Sequence, residues 1–169
     1  MKDVLRRWNR LRPDEAARQI QPCCGSRAWA REMAARRPIQ NESALLGACD
    51  EVWNSLTKSD WMEAFGSHPR IGEVHSPPNG RTRSSAWSEE EQRKAGRASG
   101  GVKVRLAEAN RAYEQRFHRT FIICAAGKSG REILETLRRR LRSDEMTELN
   151  EAAEQQRQIA HLRLKKWLA

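Results

Sequence analysis

The stretch Ala64-Phe65-Gly66-Ser67-His68-Pro69-Arg70-Ile71-Gly72-Glu73 ends an apolar helical pattern on a histidine locked against a proline. Proline disfavours helical conformation in the residue before it, so this spacing places His68 at a helix exit with its imidazole at a loop edge. Imidazole gives and takes protons near neutral pH, which makes His68 a candidate general acid or base. A capped helix end with a solvent-facing histidine has the same pattern, and the motif by itself leaves both readings open.

Arg163 is the second anomaly. It projects from the helical face that carries Leu149, Ala152, Ile159 and Ala160. A guanidinium keeps its charge, so on an apolar stripe it must either find an anion, from the protein or from a ligand, or send its head to solvent along its own stem. The third constellation is Ser88-Glu89-Glu90-Glu91, a serine followed three residues later by a glutamate. This is the spacing of a capping box and predicts a helix start, as does Ser129-Gly130-Arg131-Glu132. There Glu91 would be held rigidly at a helix N-terminus, with Gln92 beside it offering donor and acceptor atoms and the first amides open to an anion. If the turn-rich stretch 73–87 folds back, His68 and Glu91 face one pocket.

The elements that must position these residues are helical. Leu45, Cys49, Val52, Trp53 and Leu56 share a face behind a cap at Asn41, and Trp61, Met62 and Phe65 continue the pattern behind Ser59. Residues 73–87, with Pro77-Pro78-Asn79-Gly80 and Ser84-Ser85, read as a long loop. After a break at Gly100-Gly101 comes the stripe Val102, Leu106, Ala109, Tyr113 and Phe117. Phe121-Ile122-Ile123-Cys124-Ala125 is a short apolar run readable as a buried extended segment or a core turn. Ile133, Leu134, Leu137 and Leu141 define a helix ending near Ser143-Asp144. The last helix is acidic first (Glu145, Glu148, Glu151, Glu154) and basic last (Arg157, Arg163, Lys165, Lys166), an order that complements the helix macrodipole. With almost no period-two alternation and no repeat, the expected fold is all-α. It is a single-domain compact helical bundle over residues 1–169, with about seven to nine helices.

Composition bounds the function. The chain has 169 residues, enough for one core without staples, and carries a formal charge of +10. That charge suits anionic partners, from small carboxylates to nucleic acid. The basic residues lie in mixed-sign helical patterns and form no Lys-rich tail, which argues against a nucleic-acid partner. The rival function to be tested is a basic helical nucleic-acid-binding module without enzymatic activity, motivated by runs such as Arg138-Arg139-Arg140. Cys23, Cys24, Cys49 and Cys124 include no Cys-x-x-Cys pair, so the reading is reduced thiols in a cytoplasmic protein without a metal site. Met1-Lys2-Asp3-Val4-Leu5-Arg6 lacks a signal-peptide core, and no run approaches the roughly 18 apolar residues of a membrane span, so no membrane partner is expected.

These motifs together resemble the 2-oxo-4-hydroxy-4-carboxy-5-ureidoimidazoline (OHCU) decarboxylase family of urate degradation in purine catabolism, nearly end to end. The likeness begins at Cys24-Gly25-Ser26 with Trp29, Met33 and Arg37-Pro38. It runs through Asp60-Trp61-Met62-Glu63-Ala64-Phe65 into His68-Pro69-Arg70-Ile71-Gly72. It resumes at Glu91-Gln92, Ala95-Gly96, Tyr113, Phe117 and Phe121-Ile122-Ile123-Cys124, then at Gly127-Lys128-Ser129, Ile133-Leu134, Arg140-Leu141 and Glu148-Leu149. Ile159-Ala160-His161-Leu162-Arg163-Leu164 completes it. One departure is His118-Arg119-Thr120, where the family usually has an apolar Gly-Phe-Pro-like step. The loop 73–87 matches no fixed pattern.

The resemblance implies an all-α homodimer that decarboxylates OHCU to (S)-allantoin with no metal or organic cofactor. It implies His68 as proton donor, with Glu91 orienting it or polarising the ligand. It implies substrate contacts from Pro69, Ser88, Gln92 and Arg163, and main-chain hydrogen bonds from the segment Phe121, Ile122, Ile123, Cys124 and Ala125. The spontaneous reaction gives racemic product, so the resemblance places the enzyme's work in protonating one face of the carbanion or enol left by CO2.

Overall fold

In the computed structural model, which describes residues 3–72 and 82–169, every regular element is a helix. The chain divides into two compact units, residues 1–67 with 156–169 and residues 68–155. Ten α-helices lie among the described residues, more than the seven to nine or so expected from periodicity. The excess comes from short pieces such as a four-residue helix that a cap at Gln92 separates from its neighbour.

The first unit holds α1 (Asp3–Asn9), α2 (Pro13–Ile20), a 3-10 turn (Gln21–Cys23), α3 (Arg27–Ala35), α4 (Glu42–Ser55) and α5 (Lys58–Gly66). As the sequence predicts, the Asn41 side chain caps α4 by accepting from the Ala44 amide at 2.9 Å. α5 begins two residues earlier than Ser59 suggests, because Thr57 and Asp60 close a capping box there. Apolar faces supply the core, with Leu5, Trp8, Trp29, Met33, Leu45 and Phe65 fully buried. Trp8 keeps its indole N–H satisfied by the Ala16 carbonyl at 2.9 Å and meets Trp167 edge-on, with ring centroids 5.7 Å apart. Burial pushes the Cys24 thiol up to about 12 and raises Cys49 as well, so both are inert packing groups.

The second unit holds α6 (Arg83–Glu91), α7 (Arg93–Gly96), α8 (Gly100–Phe117), α9 (Gly130–Arg140) and the first part of α10 (Glu145–Leu168), whose remainder belongs to the first unit. Its core is the stripe read from α8, with Leu106, Tyr113 and Phe117 packed on Phe121, Ile133 and Leu137. Gly100 and Gly101 open α8 rather than break it, and the Ser129–Glu132 capping box starts α9 as predicted. Asp144 caps α10 by accepting from the Thr147 amide at 2.9 Å, which holds the Asp144 carboxyl below its ordinary range. No helix among the described residues is long and apolar enough to cross a membrane.

Gly25 shows how tightly the first unit is packed near the end of α5. Its φ is +94°, and a Cβ there would lie 2.1 Å from Ser67 Oγ and 2.6 Å from Ser67 Cβ. Ser67 is the C-cap of α5, one residue before His68. Gly25→Ala therefore adds left-handed strain to a backbone-adjacent clash. The expected cost is on the order of 2 kcal/mol or more, read as a lower midpoint in thermal denaturation; an unchanged midpoint contradicts this packing.

Candidate active site

His68 follows the C-cap of α5, at the helix exit its proline predicts. Its ring is half-buried, and Nε2 is sealed from solvent. Three side chains of the second unit fix the residues after it. Arg70 forms a bidentate pair with Glu114 of α8 at 2.6 and 2.7 Å, and Asn110 Nδ2 donates to the Ile71 carbonyl at 3.0 Å. The Gly72 N–H donates to Gln92 Oε1 at 3.2 Å, from a backbone with φ +85° that glycine adopts freely. An open cleft of about 480 Å³ is lined by His68, Arg70, Glu114, His118, Arg119 and Thr120.

Ser88 and Glu91 are not a capping box. Thr82 and Ser85 close the box that starts α6, with the Ser85 amide donating to Thr82 Oγ1 at 3.1 Å and the Thr82 amide to Ser85 Oγ at 3.0 Å. A serine stands at the third helical position where a glutamate is usual, and this hid the true start. The expected loop 73–87 thus yields to helix from Arg83; residues 73–81 lie outside the described residues. Ser88 and Glu91 instead stand one turn apart on a buried face near the C-terminus of α6. There a carboxylate opposes the negative end of the macrodipole, so helix energetics give Glu91 no reason to be buried. Its neighbour Gln92, through Gly72, ties this end of α6 to the loop that begins at His68.

Phe121–Ala125 is buried and irregular, with neither helical nor strand bonding; Cys124 alone is half-buried. Its carbonyls are held from below: Ile122 by Arg140 Nη1 at 2.7 Å, Cys124 by Lys128 Nζ at 3.0 Å, and Ala125 by the Lys128 amide at 3.0 Å. The Cys124 amide donates to Gln155 Oε1 at 2.9 Å, so it is engaged within the protein. Arg140 in turn grips Glu148, both fully buried, and the Tyr113 hydroxyl donates to the same carboxylate at 2.5 Å. Burial and this carboxylate raise the Tyr113 phenol above its ordinary range. Sequence reasoning missed the set, although Arg140 stands on the apolar face of α9, three and seven residues after Leu137 and Ile133. The run Arg138-Arg139-Arg140 is accordingly no uniform basic face: the first two are exposed and the third is enclosed.

Arg163 lies in the first unit and is 1% exposed, so its stem does not snorkel. One Nη1 contact reaches the Pro22 carbonyl at 3.4 Å. In the same unit Asp50 of α4 anchors the end of α10 through Arg157 at 2.9 Å and His161 at 2.7 Å. At the departure from the family pattern, His118 caps α8 in the left-handed region at φ 52°. Arg119 is buried, with Nη1 on Glu145 at 2.7 Å and the guanidinium over the Phe117 ring at 5.2 Å.

The family model described as OHCU decarboxylase matches residues 9–165, and the chain belongs to that family. It is 34% identical over 144 residues to the uric acid degradation bifunctional protein TTL of Arabidopsis thaliana, covering 85% of this chain and 44% of that one. It is 24% identical over 163 residues to a uric acid degradation bifunctional protein of Bacillus sp. (strain TB-90), covering 95% and 31%. The chain therefore spans less than half the length of these curated relatives. A crystal structure of OHCU decarboxylase in the presence of (S)-allantoin matches with a TM-score of 0.75 and 32% identity, over 86% of this chain and 94% of that one.

His118 carries a side chain in a backbone region that glycine occupies without cost. His118→Gly is expected to raise stability by about 1 kcal/mol in urea denaturation, because it relieves the left-handed cost at this cap. A lower denaturation midpoint would mean that the imidazole contributes more than its backbone costs.

Proposed function

We propose that this chain decarboxylates OHCU to (S)-allantoin in urate catabolism, using no metal or organic cofactor. The bond from the ring carbon to the carboxylate breaks, CO2 leaves, and the electron pair stays on the ring as a carbanion or enolate. His68 then gives its proton to one face of that carbon. Glu91 orients the imidazole or polarises the ligand, and Arg163 supplies a charge that cannot be neutralised, set to pair with the carboxylate or a ureido oxygen. Pro69, Ser88, Gln92 and main-chain groups of the 121–125 segment complete the substrate contacts.

The observation that carries the reading is His68 itself. Its Nε2 is withdrawn from solvent, and the residues after it are tied down by Asn110, Glu114 and Gln92. A proton donor that must choose one face of a planar intermediate needs that restriction, because a freely rotating imidazole would deliver to both. The identity to a decarboxylase crystallised with (S)-allantoin supports the substrate class. The reading extends to a single domain over residues 1–169, acting as a homodimer in the cytoplasm.

The test compares wild type, His68→Asn and Glu91→Gln on freshly generated OHCU, with helicity checked in parallel. His68→Asn is expected to lose about 10²-fold or more of stereospecific turnover with its helical signal unchanged, and Glu91→Gln to fall sharply. Full activity in His68→Asn removes the histidine from the mechanism. Exhaustive chelation is expected to leave wild-type turnover intact, and recovery only on adding a divalent metal contradicts the cofactor-free step.

A further inference from the structure

We propose that Arg140 and Gln155 are positioning residues that fix the Phe121–Ala125 segment, so that the main-chain groups of Phe121 and Ile123 meet the substrate while the Ile122 carbonyl and both main-chain groups of Cys124 are turned to the protein. The inference rests on the decarboxylase reading above and goes beyond it by naming what holds the segment and which of its groups are available.

Every buried backbone donor and acceptor needs a partner, so the segment's hydrogen bonds can be followed one residue at a time. The Ile122 carbonyl is taken by Arg140, and Cys124 has its amide on Gln155 and its carbonyl on Lys128. The Ala125 carbonyl closes a turn with the Lys128 amide. Among the described residues the backbone groups of Phe121 and Ile123, and the amides of Ile122 and Ala125, make no hydrogen bond, although Phe121 and Ile123 are only 2% and 4% exposed. The Ile122 carbonyl and both groups of Cys124 are thus anchored to the protein, and Phe121 and Ile123 keep both of their main-chain groups to offer. A ring bearing amide and ureido groups, like OHCU, presents the complementary donors and acceptors.

The anchors are themselves over-determined. Arg140 places Nε 3.0 Å from both Glu148 oxygens and Nη2 2.5 Å from Oε1, while its guanidinium lies 4.6 Å from the Phe121 ring centroid. A planar fork held on one edge and stacked on one face has a fixed direction for its remaining Nη1, which is the group on Ile122. Gln155 is oriented in the same manner: its Nε2 donates to Glu151 at 3.2 Å, which leaves Oε1 for the Cys124 amide.

The test must separate positioning from stability. Replacing a buried ion pair and its satellite hydroxyl together by apolar groups is often neutral for folding, unlike removing one partner. Tyr113→Phe/Arg140→Met/Glu148→Leu is therefore expected to retain helicity and a near wild-type thermal midpoint while KM for OHCU rises about tenfold, with the pH profile set by His68 unmoved. A folded triple variant with wild-type KM overturns the proposal. Should the triple variant not fold, Gln155→Met decides: KM is expected to rise about threefold or more at constant midpoint, with KM near wild type in Gln155→Glu, which keeps the acceptor. An unchanged KM in Gln155→Met overturns the proposal on its own. Wild type inactive on OHCU would defeat the decarboxylase reading and this inference with it, whereas active wild type with insensitive variants defeats this inference alone.

Discussion

The second unit depends on one buried ion pair. Arg140 and Glu148 are both fully enclosed, and their bidentate contact joins the last residue of α9 to the first turn of α10. Removing one member of such a pair costs about 3–5 kcal/mol, a large share of the 5–15 kcal/mol or so by which a domain is stable. The cost is high because the survivor would be a bare charge in an apolar core of Tyr113, Phe117 and Phe121. The same pair fixes the plane of the guanidinium, and from that plane Nη1 reaches the Ile122 carbonyl.

Arginine is the recurring instrument in this chain. Arg140, Arg163 and Arg119 are all buried. Their partners differ. Arg140 has a buried carboxylate, Arg119 reaches a half-exposed one in Glu145, and Arg163 contacts a carbonyl at the long distance of 3.4 Å. The exposed arginines work differently: the Arg70–Glu114 pair is partly solvated and secures a loop, where its worth lies in direction more than in energy. A net charge of +10 is therefore a poor guide to partners here, because several of the cations that produce it are structural.

Much of the helical architecture was legible in the sequence, and the reasons are local. Asn41, Ser129 and the proline after His68 act through their immediate neighbours, so their consequences follow from spacing alone. Arg163 was legible as an anomaly, and its burial decides between the two options its position left open. Ser88–Glu91 misled because Ser-x-x-Glu is the commoner capping pattern and Thr-x-x-Ser the rarer; the earlier box at Thr82 pre-empts it. The Phe121–Ala125 run stayed ambiguous because its conformation is imposed by Arg140, Lys128 and Gln155, and no periodicity within five residues records partners up to 31 residues away. Tyr113, Glu148 and Gln155 were hidden for the same reason. Each reads as an ordinary member of its own helix, and only the fold makes them one support.

We propose above that His68, on a loop tied down by Asn110, Glu114 and Gln92, protonates one face of the intermediate left by decarboxylation. The most direct measurement adds the protein to freshly generated OHCU and follows circular dichroism of the product. If His68 does so, a dichroic signal of (S)-allantoin grows in proportion to enzyme, well ahead of the spontaneous reaction. Racemic product formed at the spontaneous rate, whatever the amount of protein, would contradict the proposal.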